Sequence, residues 1–366
     1  MEKFNFVHSL KNIPIPGKDQ YLKQLIGKTE EFIDRLRWKA FFYLNPQAKH
    51  RERPTYGFKT AKTAPQVKEL NDFENDLYNT IANVKFSEHR SGFQSKLAKD
   101  VKNIKNSDKI FLLADKTTNI YEVSADDYKK LLLDNVTKDY RQTTHTAIDN
   151  IDSEALTIAS KLELEDRIER LADDKAFITI KDHKDNFINN PKCRLINPAK
   201  SQIGKISKQI LDPINSELRE TLGLQQWQST QQVLDWLSNL NNKNNLRFLQ
   251  LDICEFYPSI SADLLSSALD FANRYLKTPL SQDKIEIIMH SRKSFLFTRD
   301  PTDPDNKSVP WIKKNGLFDV TMGAPDGAEI CELVGLFLLD KVRTDFPDLS
   351  FGLYRDDGLA VHRRIP

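Results

Sequence analysis

The end of this 366-residue chain imposes the strongest constraint on its fold, because it places two adjacent acids between two short apolar runs. The runs FGLY and GLAV, at 351–354 and 358–361, are typical of strands, and the RDDG where they meet predicts a tight turn with Gly358 relaxing the backbone. A hairpin of this kind presents Asp356 and Asp357 at its tip. Adjacent carboxylates repel one another unless a cation neutralises them, but Asp is also common in ordinary solvated turns. The hairpin alone leaves both interpretations open.

A third acid follows another apolar strand. The segment RFLQLDICEFYPSI predicts a strand that ends at Asp252 and runs into a turn at Pro258, and an unpaired charge would be costly at the end of such a strand. If this strand and the hairpin are neighbours in one sheet, Asp252, Asp356 and Asp357 converge. Carboxylate oxygens suit Mg²⁺, and two such ions about 3.5–4 Å apart can activate a 3′-hydroxyl and stabilise a leaving pyrophosphate. The three acids are therefore the candidate catalytic residues and metal ligands, with Mn²⁺ as the alternative ion.

Other segments predict helices mixed with short strands. Periodicity and turn residues give helices at 20–45 and 63–86, a polar lysine-rich connector at 93–108, a strand pair and a helix at 109–136, and a strand pair at 175–200. Ser124 is the expected N-cap of the helix within 109–136. Helices combined with short antiparallel pairs favour an α+β fold.

Basic residues are concentrated in two places, although the formal net charge is only +2. Residues 1–70 contain fourteen Lys and Arg against seven Asp and Glu, and residues 192–208 contain five basic residues and no acid. Such patches suit a polyanion such as nucleic acid, and a solvated surface is the alternative interpretation.

The cysteines and the apolar segments indicate an intracellular protein without a membrane partner. Cys193, Cys254 and Cys331 are far apart and form no CxxC pair, which argues against a zinc site and against a disulfide scaffold. No run of 18 apolar residues occurs, and the N-terminus has no apolar signal region.

Five segments, in order, resemble blocks of reverse transcriptases. LDICEFYPSI resembles motif A, and LYRDDGLAV resembles motif C. TMGAPDGAEICELVGLFLLDKV, at 321–342, lies between them and resembles motif B. Upstream, LLADKTTNIYEVSADDYKKLL and ITIKDHKDNFINNPKCRLINPAK resemble two blocks of Penelope-like retroelement reverse transcriptases. The resemblance covers residues 109–361, and the order of the blocks makes it more specific than any single block.

The resemblance implies a right-hand polymerase architecture. It gives fingers at 109–246 and a palm at 247–366, after a mostly helical basic region at 1–108 that resembles nothing identified. In this family a primer grip and a thumb follow motif C, and a GIY-YIG endonuclease often follows them. None of these follows the hairpin here, so a fragment without a thumb is expected.

The resemblance also implies a role for each site residue. Asp252 and Asp356 would bind the catalytic ions, with Asp357 beside them. Arg194 would lie over the triphosphate, since a planar guanidinium suits phosphate oxygens. Lys184 is a weaker candidate for the same role, and a surface position is the alternative for both basic residues.

Residues of motifs A and B would recognise the nucleotide. Gly323 and Pro325 would set a backbone that closely approaches the template and the incoming base. Tyr257 follows Asp252 by five residues, where an aromatic side chain in reverse transcriptases stacks beneath the sugar and excludes a 2′-hydroxyl. RNA-dependent RNA polymerases commonly have Asp there, so Tyr257 disfavours that class and implies deoxynucleotide substrates.

Two features depart from the family pattern. Motif B contains the acids Asp326, Glu329 and Glu332, which would repel phosphate unless they face away from the nucleic acid. Arg355 replaces a residue that is usually small or apolar, and it would contact the primer or neutralise a carboxylate.

The sequence therefore predicts an RNA-directed DNA polymerase of a retrotransposon. Its partners would be an RNA template, a DNA primer and dNTPs, with function in the nucleus and no defined oligomeric state. The alternative is a truncated, inactive retroelement remnant that only binds nucleic acid.

Overall fold

The computed structural model describes residues 3–4, 15–49, 63–87, 91–165, 168, 174–185, 187, 190–198, 202–241, 243–299 and 307–363. Helices and strands alternate along these ranges, which confirms the expected mixture of helix and sheet. Within the same ranges, no helix is long and apolar enough to cross a membrane.

The elements have the following bounds. The helices are α1 (Lys18–Leu44), α2 (Asn71–Ala82), α3 (Gly92–Lys105), α4 (Ala125–Asp139), α5 (His145–Lys161), α6 (Gln202–Leu222), α7 (Thr230–Ser238), α8 (Phe256–Ser259), α9 (Ala262–Tyr275), α10 (Gln282–His290) and α11 (Gly327–Asp345). The strands are β1 (Lys3–Phe4), β2 (Lys109–Leu113), β3 (Ile120–Ser124), β4 (Tyr140–Gln142), β5 (Phe177–Ile180), β6 (Cys193–Ile196), β7 (Gln225–Gln226), β8 (Leu246–Asp252), β9 (Leu296–Arg299), β10 (Ser308–Lys313), β11 (Ser350–Tyr354) and β12 (Asp357–Arg363).

The described strands form four sheets, with the orders β1-β3-β2, β4-β10-β9, β7-β11-β12-β8 and β5-β6. The chain divides into two compact units, of which the first comprises Met1–Lys130 and Ile180–Lys192. The second comprises Leu131–Thr179 and Cys193–Pro366. The three-part division at 108 and 246 stays a prediction.

In the first unit, the expected connector at 93–108 is wrong, because the chain forms helix α3 there. The Ser91 side chain accepts a hydrogen bond from the Gln94 backbone N–H and thereby caps the helix. The Leu97 side chain of α3 is buried. The spacing of Leu97, Val101 and Ile104 is that of one helical face, so the apolar pattern outweighed the many lysines.

The turn after β5 is fixed by one carboxylate of the first unit. Asp182 Oδ2 accepts hydrogen bonds from Thr117 Oγ1 at 2.7 Å, from Asn119 Nδ2 at 2.7 Å and from Tyr121 OH at 3.0 Å. Burial acts to raise the pKa of Asp182, but these hydrogen bonds lower it below its usual value. The carboxylate therefore remains ionised and ties the turn that contains Lys184 to the β2–β3 hairpin.

Helix α11 forms the centre of the second unit. It packs against α6, α9 and β11, and its side chains are buried on more than one face. The buried apolar residues include Ile330, Leu333, Val334, Leu336 and Leu339. Beside this core, β12 lies inside the four-stranded sheet, whereas β8 at its edge is exposed along most of its length.

The hairpin of β11 and β12 has a two-residue turn, but its glycine has a different role from the one expected. Tyr354 pairs with Asp357, so the turn consists of Arg355 and Asp356, and Arg355 has the positive φ of 59°. Gly358 lies inside β12, where a Cβ would come within 2.9 Å of the Phe351 ring. The glycine therefore makes room for an aromatic ring and does not relax the turn.

Candidate active site

The sheet register brings two of the three predicted acids face to face. Asp252 ends β8, Asp357 begins β12, and the two residues are directly opposite in the antiparallel register. The Ile253 N–H donates to the Asp356 carbonyl at 2.9 Å, which holds the turn against the end of β8. The expectation that the strand and the hairpin are neighbours is therefore confirmed, and all three acids are exposed at one end of the sheet.

The three carboxylates have no cationic partner in the part of the chain that the structure describes. Like charges directly opposite one another on paired strands are destabilising, so Asp252 and Asp357 favour a bound cation. Among the described residues, no three His, Cys, Asp or Glu side chains are disposed to hold a metal ion. The acids nevertheless suit Mg²⁺ in type, since that ion binds through one or two carboxylates and keeps several waters.

Arg355 does not neutralise these carboxylates. Its guanidinium carbon lies 5.9 Å from the centroid of the Tyr354 ring, and it forms no ion pair with a described acid. An arginine that stacks beside the turn leaves the acids available to a cation.

Tyr257 lies where motif A meets motif B. It belongs to the one-turn helix α8, in which the neighbouring Phe256 is buried. Its Cε1 atom is 3.4 Å from the position that a Cβ on Gly327 would take, so the ring lies beside the start of α11. Burial raises the pKa of Tyr257 to about 12, and the nearby Asp356 also acts to raise it. The side chain is thus a neutral phenol beside the hairpin tip.

Cys331 supports the tyrosine from α11. The thiol is buried, and this burial raises its pKa to about 12, while a hydrogen bond with Tyr257 acts in the opposite direction. Cys331 is therefore a protonated core residue and not a nucleophile.

The loop before α11 needs a glycine at position 323. Gly323 has φ of 108°, and a Cβ there would come within 2.4 Å of the Asn197 carbonyl oxygen. The Asn197 N–H donates to the Met322 carbonyl at 3.2 Å, and its side-chain Nδ2 donates to the Phe295 carbonyl at 2.8 Å. Asn197 was not among the predicted site residues, yet its backbone N–H joins the end of β6 to the motif B loop, while its buried side-chain amide contacts Phe295.

The remaining predicted residues occupy different parts of the chain. Pro325 packs against Gly204 in α6, where a Cβ would come within 3.2 Å of the proline ring. Arg194 lies in β6 of the second unit, three residues before Asn197. Lys184 is exposed in the first unit. The roles of Arg194, Lys184 and Pro325 in nucleotide binding stay predictions.

Asp326, the first additional acid of motif B, forms a buried ion pair. Its carboxylate pairs with Arg292, and the two side chains are 0% and 1% exposed. Ser291 Oγ donates to the second carboxylate oxygen of Asp326 at 2.7 Å. The charge is therefore neutralised inside the protein.

The next two acids of motif B pair with helix α6. Glu329 pairs with Lys208, and the Glu329 carbonyl accepts a hydrogen bond from Asn215 Nδ2 at 2.9 Å. Glu332 lies 3.2 Å from Arg219 Nη2. Burial raises the pKa of Glu332, and the charge of Arg219 acts to lower it. These acids join α11 to α6 through ion pairs with basic side chains.

The comparisons with known proteins show the fold. No protein-family model matches the sequence, and no curated protein matches it. The structure is similar to that of apo telomerase from Candida tropicalis truncated from its C-terminal domain, with a TM-score of 0.50 and 13% identity over 80% of this chain. A second structure, of apo telomerase from Candida tropicalis, has a TM-score of 0.48 and 12% identity over 94% of this chain and 56% of its own.

The chain spans 58% of the length of the truncated telomerase chain. At this identity the likeness concerns the fold alone, and it supports a reverse-transcriptase-like fold. This agrees with the fold that the resemblance implies.

Proposed function

We propose that this chain is the polymerase region of an RNA-directed DNA polymerase from a Penelope-like retrotransposon. The observation that carries the proposal is the register of β8 and β12, which sets Asp252 against Asp357 with Asp356 in the adjoining turn. The reverse-transcriptase-like fold supports the same function. The partners would be an RNA template, a DNA primer and dNTPs, and work on chromosomal DNA would take place in the nucleus.

In this proposal the three hairpin-end acids, Asp252, Asp356 and Asp357, would hold two Mg²⁺ ions, with Mn²⁺ as a substitute. When bound, such ions would supply activation of a 3′-hydroxyl for attack on the α-phosphate and would offset the charge of the leaving pyrophosphate. The exposure of the acids leaves their oxygens accessible to a primer terminus and to a triphosphate.

Tyr257 would select the sugar. Its neutral ring lies beside the start of α11, near Gly327 and the hairpin tip. A ring fixed in that position would occupy the space of a 2′-hydroxyl, so deoxynucleotides would be preferred. Arg194 would contact the triphosphate, with Lys184 as the weaker candidate.

Primer extension on an RNA template with Mg²⁺ and dNTPs tests the proposal. The protein should extend the primer, and Asp356→Asn should abolish extension. Asp345→Asn is the matched control, because Asp345 is an exposed acid at the far end of α11. Equal extension by the wild type and by Asp356→Asn would contradict the proposed catalytic site.

A non-catalytic nucleic-acid-binding protein is the second candidate. The observation that favours it is that no three described acidic, histidine or cysteine side chains are disposed around a common point. Template–primer binding that weakens with salt, without extension in either Mg²⁺ or Mn²⁺, would support this function over the first.

A further inference from the structure

Lys313, at the end of β10, bridges two groups that are distant in sequence. Its Nζ lies 3.0 Å from Asp319 Oδ1 and donates a hydrogen bond to the Pro258 carbonyl at 2.9 Å. Pro258 follows Tyr257 directly in α8. The lysine side chain is 17% exposed, so most of it is shielded from water, although the carbonyl that it contacts belongs to an exposed residue.

The bridge matters because α8 would not be stable as an isolated helix. It has only four residues, which is too short for a helix to be stable without tertiary contacts. The last carbonyl groups of a helix have no partner within it, and a cation near them is favourable. Lys313 supplies both a donor and a positive charge at Pro258, while Phe256 anchors the opposite end of the turn in the core.

Asp319 in turn fixes the lysine. Its side chain is 2% exposed, and a buried carboxylate needs partners to offset its lost hydration. Tyr140 OH donates to Asp319 Oδ2 at 2.6 Å, and Tyr140 is the residue opposite Lys313 in the β4–β10 register. Burial and the adjacent Asp319 raise the pKa of Tyr140, so the phenol stays a donor.

The backbone of Asp319 also connects to motif B, through Arg292. The Asp319 N–H donates to the Arg292 carbonyl at 2.8 Å, and Arg292 forms the buried ion pair with Asp326. The segment between motifs A and B therefore contacts the turn of motif A through Lys313 and the loop of motif B through Arg292. Both contacts lie in the second unit.

We propose that Lys313 is a positioning residue for Tyr257, and that Asp319 and Tyr140 hold it in place. The inference rests on the proposed function, because Tyr257 would be the side chain that excludes the 2′-hydroxyl. Lys313 would then determine sugar selection without contacting the nucleotide, through the carbonyl next to the tyrosine.

Three variants, Lys313→Met, Lys313→Arg and Lys314→Met, test this role through their selection between ribonucleotides and deoxynucleotides. The measured quantity is the ratio of kcat/KM for a ribonucleotide to that for the matching deoxynucleotide. Loss of the charge-assisted hydrogen bond in Lys313→Met should raise this ratio by about three- to tenfold. Lys313→Arg should restore most of the selectivity, since it keeps both donor and charge.

Lys314→Met is the matched control. Lys314 is the next residue, is exposed, and donates from Nζ to the Lys138 carbonyl and not to α8. The kcat/KM ratio of Lys314→Met should equal that of the wild type. A general loss of folded protein would lower the rates for both nucleotides and leave their ratio unchanged. If Lys313→Met unfolds, Tyr140→Phe removes only one hydroxyl from the same network and should raise the ratio to a smaller extent.

Hydrogen–deuterium exchange provides a readout that does not depend on polymerase activity. The Ser259 N–H donates to the Glu255 carbonyl at 3.0 Å, and the Ile260 N–H donates to the Tyr257 carbonyl at 3.3 Å. Exchange in the peptide 253–262 should be faster in Lys313→Met than in the wild type and in Lys314→Met.

The two measurements separate the two proposals. If the wild type incorporates no nucleotide, the proposed function fails, and faster exchange confined to Lys313→Met still supports the contact with α8. If exchange in Lys313→Met equals that of the wild type, the positioning role is overturned. An active Lys313→Met with an unchanged nucleotide ratio overturns it as well.

Discussion

Two groups of acidic residues in the second unit have opposite environments. Asp252, Asp356 and Asp357 are exposed at the end of a sheet and lack cationic partners among the described residues. Three acids of motif B, at the start of α11, are instead paired with basic side chains outside α11. These pairs are Asp326–Arg292, Glu329–Lys208 and Glu332–Arg219.

The difference shows how burial separates structural carboxylates from candidate ligands. A buried acid must be neutralised by the protein itself, and its partner then fixes the position of a helix. An exposed acid that faces another acid lowers stability slightly and keeps its oxygens available to an ion. Both groups lie within resembling motifs, so the motif alone does not distinguish them.

The largest expected effect is a loss of activity without a loss of stability. Asp252→Asn should reduce primer extension by about a thousandfold, because one ligand oxygen of the proposed ions loses its charge. The midpoint of urea unfolding should not fall, since the carboxylate is exposed, makes no described hydrogen bond and faces the like charge of Asp357. A large fall in the unfolding midpoint would show that Asp252 is structural and would break the comparison.

The next effect concerns stability. Asp326→Asn should lower the free energy of unfolding by about 3–5 kcal/mol, because the Arg292 charge remains buried without its partner. Urea denaturation followed by circular dichroism measures this loss. The double variant Arg292→Met with Asp326→Leu should recover a large part of it. A loss below that of Glu329→Gln would contradict the structural role assigned to this pair.

A smaller loss is expected at Glu329. Lys208 is 40% exposed, so water can hydrate the lysine when its partner is lost. Glu329→Gln should therefore lower the free energy of unfolding by about 0.5–1.5 kcal/mol. Glu220→Gln, at an exposed position of α6, is the control and should have no effect. The two variants are compared in the same urea titration.

The smallest effect has the opposite sign. Asp357→Asn removes the repulsion between two acids in register and should raise the free energy of unfolding by about 0.2–1 kcal/mol in a chelating buffer. The gain should decrease with added NaCl, since the charges are exposed. In saturating Mg²⁺ the gain should disappear, because the wild type then has a cation between the carboxylates. A gain that is equal with and without Mg²⁺ would argue against ion binding there.

Local signals in the sequence predicted several elements correctly. The β2–β3 pair and α4 follow the expected strand, turn and helix, and Ser124 Oγ accepts from the Asp127 N–H at 3.1 Å as an N-cap should. The acid-tipped hairpin also forms. Helix α3 was not predicted because its many lysines obscure the apolar spacing of Leu97, Val101 and Ile104. The role of Gly358 was not predicted because it depends on the position of the Phe351 ring.

The sequence by itself determined the strand that ends at Asp252, the hairpin that carries Asp356 and Asp357, and the order of the motifs, because alternation and turn residues act over a few positions. Only the tertiary structure decided which acids are neutralised and which remain open. Arg292 and Asp326 are 34 residues apart, and Lys313 reaches a carbonyl 55 residues away. Pairings of this kind follow from the packing of helices and sheets, which no local pattern encodes.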